Sequence, residues 1–399
     1  MSEQINTPKL RFPEFRDEWE MKIIKELFNV VSGSTPLRSN TSYYENGNIP
    51  WVKTTDLNNS LINDTSEKVT DIALNNLKVL PKDTVLIAMY GGFNQIGRTG
   101  ILNIKATTNQ AISALIKKGN YNSKFLQSYL NFNVKQWRRF AASSRKDPNI
   151  TKRDIEKFKI PYTCLEEQEK IGGFFSKIDR QIELEEKKLD LLEQQKRGYM
   201  QKIFSQELRF KDENGNKYPN WQTVKIGSIL KERKERSGDG EMLSVTINHG
   251  IVKFDEIDRK DNSSKDKSNY KKVYKNDIAY NSMRMWQGAS GKAEFDGIVS
   301  PAYTVVTPIE NINSSFIAYY FKTHNMIHKF RINSQGLTSD TWNLKYKQLK
   351  DIKISICSKE EQDKIADLLT ILDTRIKKQN HKLEILNINK KGLLQKMFV

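Results

Sequence analysis

The chain has 399 residues, a formal net charge of +18 at neutral pH and two cysteines, Cys164 and Cys357. At 37% hydrophobic and 10% aromatic it can build real cores, so wholesale disorder is excluded, and its length suits two or three domains. With no Cys-x-x-Cys pair, zinc ribbons and disulfide scaffolds are disfavoured, and both thiols are expected to be small buried packing residues in a reducing cytosol. The polar start MSEQINTPKLRF holds no signal-peptide core, and no apolar run approaches the roughly 18 residues of a membrane helix, so a cytoplasmic protein with no membrane partner is expected. A protein this basic usually meets a polyanion, most often nucleic acid; a basic surface kept only for solubility is the competing reading.

The chain opens with Leu10-Arg11-Phe12, then Trp19 and the short amphipathic stretch IIKELF. Strands are expected at Ile49–Lys53, Thr84–Ala88, Gly100–Ile104 and Ala111–Ile116, and a helix over Ser123–Phe140. Three stretches of this first body look like reading surface. Ile49–Leu57 contains Trp51, Lys53 and Thr54. The Gly-rich stretch Tyr90–Arg98 contains Tyr90, Gly92, Asn94, Gln95 and Arg98. A third, cationic region contains Arg138, Ser144, Arg145 and Lys146. Arg can pair with guanine O6 and N7, Asn or Gln with adenine N6 and N7, while Ser, Thr and Lys suit phosphates. Glycines let a backbone approach DNA closely. Each stretch alone reads equally as ordinary surface; their shared location in a basic body gives them weight.

A long helix follows. Positions 171, 175, 178, 182, 185, 189, 192, 196, 199 and 203 step alternately by four and three, the heptad seam of a paired helix. Ile171, Ile178, Ile182, Leu189 and Leu192 are its candidate pairing residues. Its length, near 55–60 Å for roughly 38 residues, exceeds what a body of this size needs to close its core. It reads as a spacer or docking surface.

Leu208-Arg209-Phe210 and Trp221 then begin the pattern again, with a hairpin signal at Asn214-Gly215. Strands are expected at Met242–Ile247, Asp277–Asn281 and Ala302–Thr307, and a helix over Ser314–Phe330. Candidate reading residues are Asn281, Arg284, Trp286 and Gln287, then Ser334, Gln335 and Thr338. The last segment is a second long helix, offset from the first by 194 residues. Glu166-Glu167-Gln168-Glu169-Lys170-Ile171 recurs as Glu360-Glu361-Gln362-Asp363-Lys364-Ile365. Ile365, Leu372, Ile376, Leu383 and Leu386 are its pairing residues.

Both seams are interrupted at the same places, Glu185 with Gln379 and Lys196 with Lys390, which argues for pairing in fixed register. Two unrelated helices packed on their own domains are the alternative. The helices carry about +2 of the net charge and the bodies about +16, which assigns polyanion contact to the bodies and protein contact to the helices. The expected fold is α+β: two mixed α/β bodies, residues 1–165 and 207–357, and two helices, 166–206 and 358–399, paired antiparallel as a spacer about a pseudo-twofold.

Catalytic signatures are missing. There is no phosphate-cradling G-x-x-x-x-G-K-[ST], Gly288–Lys292 being too short, and no G-x-G-x-x-G. There is no Asn/Asp-Pro-Pro-Tyr/Phe tetrad of an adenine methyltransferase. Asp258-Arg259-Lys260 has half of a nuclease motif without its upstream partner. His324 and His328 have metal-ligand spacing but no evident third ligand, and no metal site is expected.

The duplicated body-plus-helix plan, with Glu-Glu-Gln-x-Lys-Ile opening each helix, resembles the specificity subunits of type I restriction–modification enzymes. Ile160-Pro161 before the first helix, Ile49-Pro50-Trp51-Val52, Asn281–Gly288 and Gly297–Tyr303 strengthen the likeness; Ser355-Ile356-Cys357-Ser358 departs from it by lacking a proline. The resemblance implies a non-catalytic subunit that binds double-stranded DNA at a bipartite, asymmetric site through two target recognition domains. It implies two modification subunits using S-adenosylmethionine to methylate adenine N6, and restriction subunits using ATP and Mg, with no cofactor in this chain. A two-headed DNA-binding adaptor outside restriction, and a self-sufficient nuclease or methyltransferase, are the competing classes.

Overall fold

The computed structural model describes residues 7–92, 94–142, 149–257, 266–339 and 341–398. It resolves into two compact units, each joining one body to parts of both long helices: Met1–Lys187 with His381–Val399, and Lys188–Asn380.

In the first unit, an antiparallel clip of Glu20–Ile23 on Lys159–Tyr162 closes the body at its base. The central sheet is built from β1 (Phe28–Ser32), β2 (Val85–Ala88), β3 (Thr99–Leu102) and β4 (Ile112–Lys117), in the order β1-β4-β2-β3, with Ser60–Ile62 added parallel to β3. A smaller sheet places Ile49–Val52 between Lys68–Val69 and Thr107–Thr108. The helix expected over Ser123–Phe140 is two helices, α1 (Ser123–Phe132) and α2 (Val134–Ala142). The break falls at Asn133, whose side-chain amide donates to the Tyr129 carbonyl and so competes with the helical ladder. The long helix α3 spans Leu165–Phe204.

The second body repeats this wiring. Its clip pairs Gln222–Lys225 with Lys353–Ile356. Its central sheet holds β5 (Leu230–Glu232), β6 (Ile278–Asn281), β7 (Ser290–Lys292) and β8 (Tyr303–Pro308), in the order β5-β8-β6-β7. Again the single helix expected, Ser314–Phe330, is two: α4 (Ser314–Phe321) and α5 (His324–Asn333). Thr323 between them is extended and caps α5 through its hydroxyl, which ends one helix and starts the next. The second long helix, α6, spans Lys359–Met397.

The long helices run antiparallel in both units. In the first, Ile171 and Phe175 of α3 and Leu394, Met397 and Phe398 at the end of α6 share one core with Trp19, Phe125 and Trp137. In the second, Ile203 of α3 and Ile365, Leu369 and Leu372 of α6 share a core with Phe316, Phe321 and Phe330. All ten seam positions of each helix are buried or half-buried, including Ile178, Ile182, Leu189, Leu192, Ile376, Leu383 and Leu386. The polar interruptions are cross-links. Lys390 pairs with Asp179 and Lys382 with Glu185 in the first unit; Lys196 pairs with Asp373 at 2.6 Å in the second. Asp179–Lys390 and Lys196–Asp373 are the same contact at the 194-residue offset, so the shared defects state the register twice.

The recurring Leu-Arg-Phe and Glu-Glu-Gln motifs turn out to be halves of one clamp. Arg11 grips the fully buried Glu167 through two hydrogen bonds of 2.6 and 2.8 Å, and Arg209 grips Glu361 through two of 2.7 Å. The glutamine beside each glutamate ties down the preceding helix pair: Gln168 accepts from Asn122 N and Gln362 from Asn313 N. Asn122 and Asn313 are in turn the caps of α1 and α4. Each clamp thus locks its body to the start of a long helix. Burial holds the Cys357 thiol up at about 12, as a packed residue should be. Cys164, expected to be buried as well, is exposed, because it lies one residue past the position that enters the core.

Candidate nucleic-acid interface

The stretch Tyr90–Arg98 is the hairpin loop between β2 and β3. Gly91, Gly92 and Gly97 all have φ between +78° and +114°, a region that side-chain-bearing residues avoid. Ile96 anchors the loop in the core beside Trp137 of α2, and a β-carbon on Gly97 would lie 3.1 Å from that indole. Tyr90, Gly92 and Asn94 are exposed, Gln95 and Arg98 half-buried, and Arg98 Nε donates to the Asn94 carbonyl at 3.0 Å. At the loop's base, Ile150 N donates to the Met89 carbonyl at 3.0 Å. This brings the chain that follows α2 back against the hairpin. Arg138 lies on α2; Ser144, Arg145 and Lys146 lie outside the described residues, as does the Asp258–Lys260 motif.

In the second unit Asn281–Gly288 is the loop between β6 and β7, the same connection in the same sheet order. Asn281 Oδ1 accepts from Met283 N and stiffens the turn. Met285 enters the core, while Arg284 is exposed and Trp286 and Gln287 half-buried. Here too the chain after the second helix returns to the hairpin: Leu344 N donates to the Ser282 carbonyl at 2.8 Å, and Leu344 stands 194 residues after Ile150. Trp286 meets Trp342 edge-to-face at 5.2 Å, and Arg331 of α5 lies over the Trp342 ring. Ser334 is half-buried; Gln335 and Thr338 are exposed. The candidate stretches at 281–287 and 334–338 are therefore one surface.

Three residues of this surface are absent from the sequence-based candidates: Trp342, Arg331 and Lys322. Lys322 Nζ donates to the carbonyls of Gly288 and Ile247, at 2.5 and 2.8 Å, and burial lowers it to about 8. It braces the hairpin base. Nothing in the sequence flags it, since a lysine at a helix end is commonplace.

In the first stretch, by contrast, Trp51 is corrected. Trp51 is only 1% exposed; it packs with Val69 and Ala73 and donates to the Ser34 carbonyl. It cannot offer its ring to a ligand. Lys53 and Arg38 both pair with Glu67, whose carboxyl is drawn down to about 2 by Arg38 first and Lys53 second. Thr54 begins a 3-10 turn over this pair. Trp51 is therefore a core residue of the Ile49–Val52 strand, while Lys53 and Thr54 are half-buried.

Among the described residues no three His, Cys, Asp or Glu side chains gather as a metal site, and no helix is long and apolar enough to cross a membrane. What the fold and surface define is a tandem-repeat scaffold protein, with a hairpin loop on each body met at its base by the chain that returns after the second short helix. The family model described as type I restriction modification DNA specificity domain matches this chain twice, over residues 16–194 and 218–387. The chain belongs to that family.

Among similar proteins is the type I restriction enzyme MjaIX specificity subunit of Methanocaldococcus jannaschii, 28% identical over 230 residues, 54% of this chain and 52% of that protein. Another is the EcoR124I/EcoR124II specificity subunit of Escherichia coli, 23% identical over 213 residues, 48% of this chain and 53% of that protein. The chain spans about half the length of these curated relatives. In fold it is similar to the crystal structure of a type I restriction–modification S subunit from M. genitalium. That likeness has a TM-score of 0.63 and 17% identity, over 98% of this chain and 99% of that one.

Proposed function

We propose that this chain is a non-catalytic, sequence-specific DNA-binding subunit of a type I restriction–modification enzyme. Each body reads one half of a bipartite, asymmetric site through its joined pair of loops. Two modification subunits supply S-adenosylmethionine-dependent adenine methylation, and restriction subunits supply ATP- and Mg-dependent cleavage. The observation that supports this reading is the recurrence of one hairpin loop in both bodies, met in each by the chain returning after the second short helix, with polar groups set in different surroundings: three glycines beside Asn94, Gln95 and Arg98 in one, Met283 and Trp286 beside Arg284 and Gln287 in the other. A conserved frame with divergent tips is what two heads of different sequence preference require. The excess of positive charge on the bodies supplies the phosphate-binding term.

Selection from a random-sequence duplex library by the full chain tests it. The expected result is two fixed blocks separated by an unspecified gap, with binding that weakens steeply as salt rises. No enrichment, or salt-insensitive binding, sinks the proposal. Arg98 or Arg284 replaced by Ala should relax preference within one block, by roughly 1–3 kcal/mol for a bidentate contact, whereas Lys146→Ala should weaken all sequences alike. Co-purification with a methyltransferase subunit separates this role from that of an adaptor outside restriction.

A further inference from the structure

The post-helical loop of the second body has an unusual tip. Leu337 is fully exposed, at 101% of its reference surface, on a loop that is otherwise braced. Gln335 and Asn343 exchange backbone hydrogen bonds of 3.0 and 2.8 Å, and Gln348 holds the Gln335 side chain at 3.0 Å. Thr341 closes the tip through its own N–H and hydroxyl, both donating to the Thr338 carbonyl, while its hydroxyl accepts from Thr338 N. Gly336 sits at φ +150°, and a β-carbon there would lie 2.6 Å from the Thr341 backbone. The loop is built so that the residue after that glycine points away from the body.

Two further apolar side chains, Met283 on the neighbouring hairpin and Ile332 on α5, are also exposed. Arg284 and Arg331 provide positive charge on those same two elements, and Arg331 packs over Trp342 behind the loop. An apolar tip with cations on its flanking elements does not match a protein surface of ordinary composition. It matches a polyanion that contains an apolar gap to fill, which is a base step: Leu, Met and Ile wedges part stacked bases while arginines hold the flanking phosphates. The equivalent position in the first body, at the 194-residue offset, is Ser143, within Ser143-Ser144-Arg145-Lys146. That sequence has no large apolar residue to serve as a wedge.

Resting on the DNA-reading role proposed above, we infer that Leu337 is a wedge that partly unstacks one base step in the half-site bound by the second body, and that the first body leaves its half-site stacked. The probe is the duplex pool selected by the full chain, treated with permanganate, which attacks unstacked thymines, and diethyl pyrocarbonate, which attacks exposed purines. The wild-type chain should produce hyperreactive bases at one step in one block only. Leu337→Ser should return that step to the reactivity of free duplex and weaken binding by roughly tenfold, and Leu337→Phe should retain the reactivity. Because Leu337 is wholly exposed, neither change disturbs the core. Binding without any hyperreactive step, or a step unaffected by Leu337→Ser, overturns the wedge and leaves DNA reading intact. No selected pool at all overturns both.

Discussion

Glu167 and Glu361 occupy the same place in the two halves, and both are fully buried, yet they are not held equally. Glu167 receives four hydrogen bonds: two from Arg11, one from Trp19 Nε1 at 2.9 Å and one from the Thr163 hydroxyl at 2.6 Å. Among the described residues, Glu361 receives two, both from Arg209. The loss has two causes in the sequence. Cys357 stands where the offset places Thr163, and a thiol is a far weaker donor than a hydroxyl. Arg209 and Trp221 are also farther apart than Arg11 and Trp19, because the turn at Asp212–Asn216 is inserted between them. Trp221 Nε1 is left buried without a partner, and Arg209 Nη2, which holds Glu361, also donates to the carbonyls of Tyr218 and Pro219. A duplicated frame can keep its ion pair while the supporting shell drifts.

The largest consequence should come from deleting the arginines. Removing one partner of a buried pair strands the other charge and costs about 3–5 kcal/mol. After Arg11→Ala, Glu167 still has Thr163 and Trp19 as donors, so its cost should sit at the lower end. After Arg209→Ala, Glu361 retains neither equivalent, so the loss should sit at the upper end. Urea titration, with hydrogen exchange read at the first turns of α3 and α6, checks the order. Equal losses would mean that the extra donors at Glu167 carry no weight.

A second contrast lies one turn further along the helices. Gly172 lets α3 approach the cap of α1, where a β-carbon would lie 2.6 Å from both Asn122 Oδ1 and Phe125 N. Its counterpart in α6 is Ala366, which is buried and accommodated. Gly172→Ala should therefore cost about 1–3 kcal/mol as overpacking. Ala366→Gly should cost only about 1 kcal/mol through backbone entropy. Thermal denaturation of the two variants compares them directly; a stabilising Gly172→Ala would show that the close approach relaxes freely.

Acid should also reveal the stronger clamp. Burial acts to raise the Glu167 carboxyl, but Arg11, Thr163 and Trp19 together more than offset it and hold the group below the usual glutamate value. A carboxylate with a depressed folded pKa contributes stability that is present above the unfolded value and lost as pH falls through the folded one. Exchange protection at the start of α3 should persist as pH falls through the ordinary glutamate range and fail only below it, and Thr163→Ala should move that failure to higher pH. Failure within the ordinary range in the wild-type chain would contradict the lowered carboxyl.

Much of this frame is legible in the sequence, because heptads and a fixed offset are periodic signals that survive without any knowledge of contacts. Even the polar seam positions match across the repeat by eye, although their partners, Asp373, Lys382 and Asp179, lie off the seam. The clamps were not legible: Arg11 and Glu167 are 156 residues apart, and nothing local links them. Nor was the equivalence of the two candidate surfaces. Tyr90–Arg98 and Asn281–Gly288 share no residue pattern, and only the order of strands around them shows that they are the same hairpin. Trp51 misled for the opposite reason. Its neighbours Lys53, Thr54 and Thr55 look like surface, but the strand Ile49–Val52 lies between two others and turns the indole inward.

The smallest effect tests whether the weaker clamp can be repaired. Cys357 occupies the position of Thr163, is 5% exposed, and lies close enough to Glu361 for the carboxylate to help push the thiol up, after burial itself. Replacing it by threonine restores a hydroxyl that can donate to Glu361 as Thr163 does to Glu167. A hydrogen bond to a charged acceptor contributes about 1.5–3 kcal/mol at best, and fitting a β-branched side chain into a packed site takes back part of that. A net gain of about 1 kcal/mol is therefore expected from Cys357→Thr, and the reverse change, Thr163→Cys, should lose at least as much. Thiol titration controls for the fold: the native chain should offer the exposed Cys164 to a reagent promptly and Cys357 only on unfolding, and Cys357→Thr should leave the prompt count unchanged. If Cys357→Thr destabilises while Thr163→Cys is neutral, the hydroxyl is not what distinguishes the two clamps, and the inserted turn before Trp221 is left as the cause of the difference.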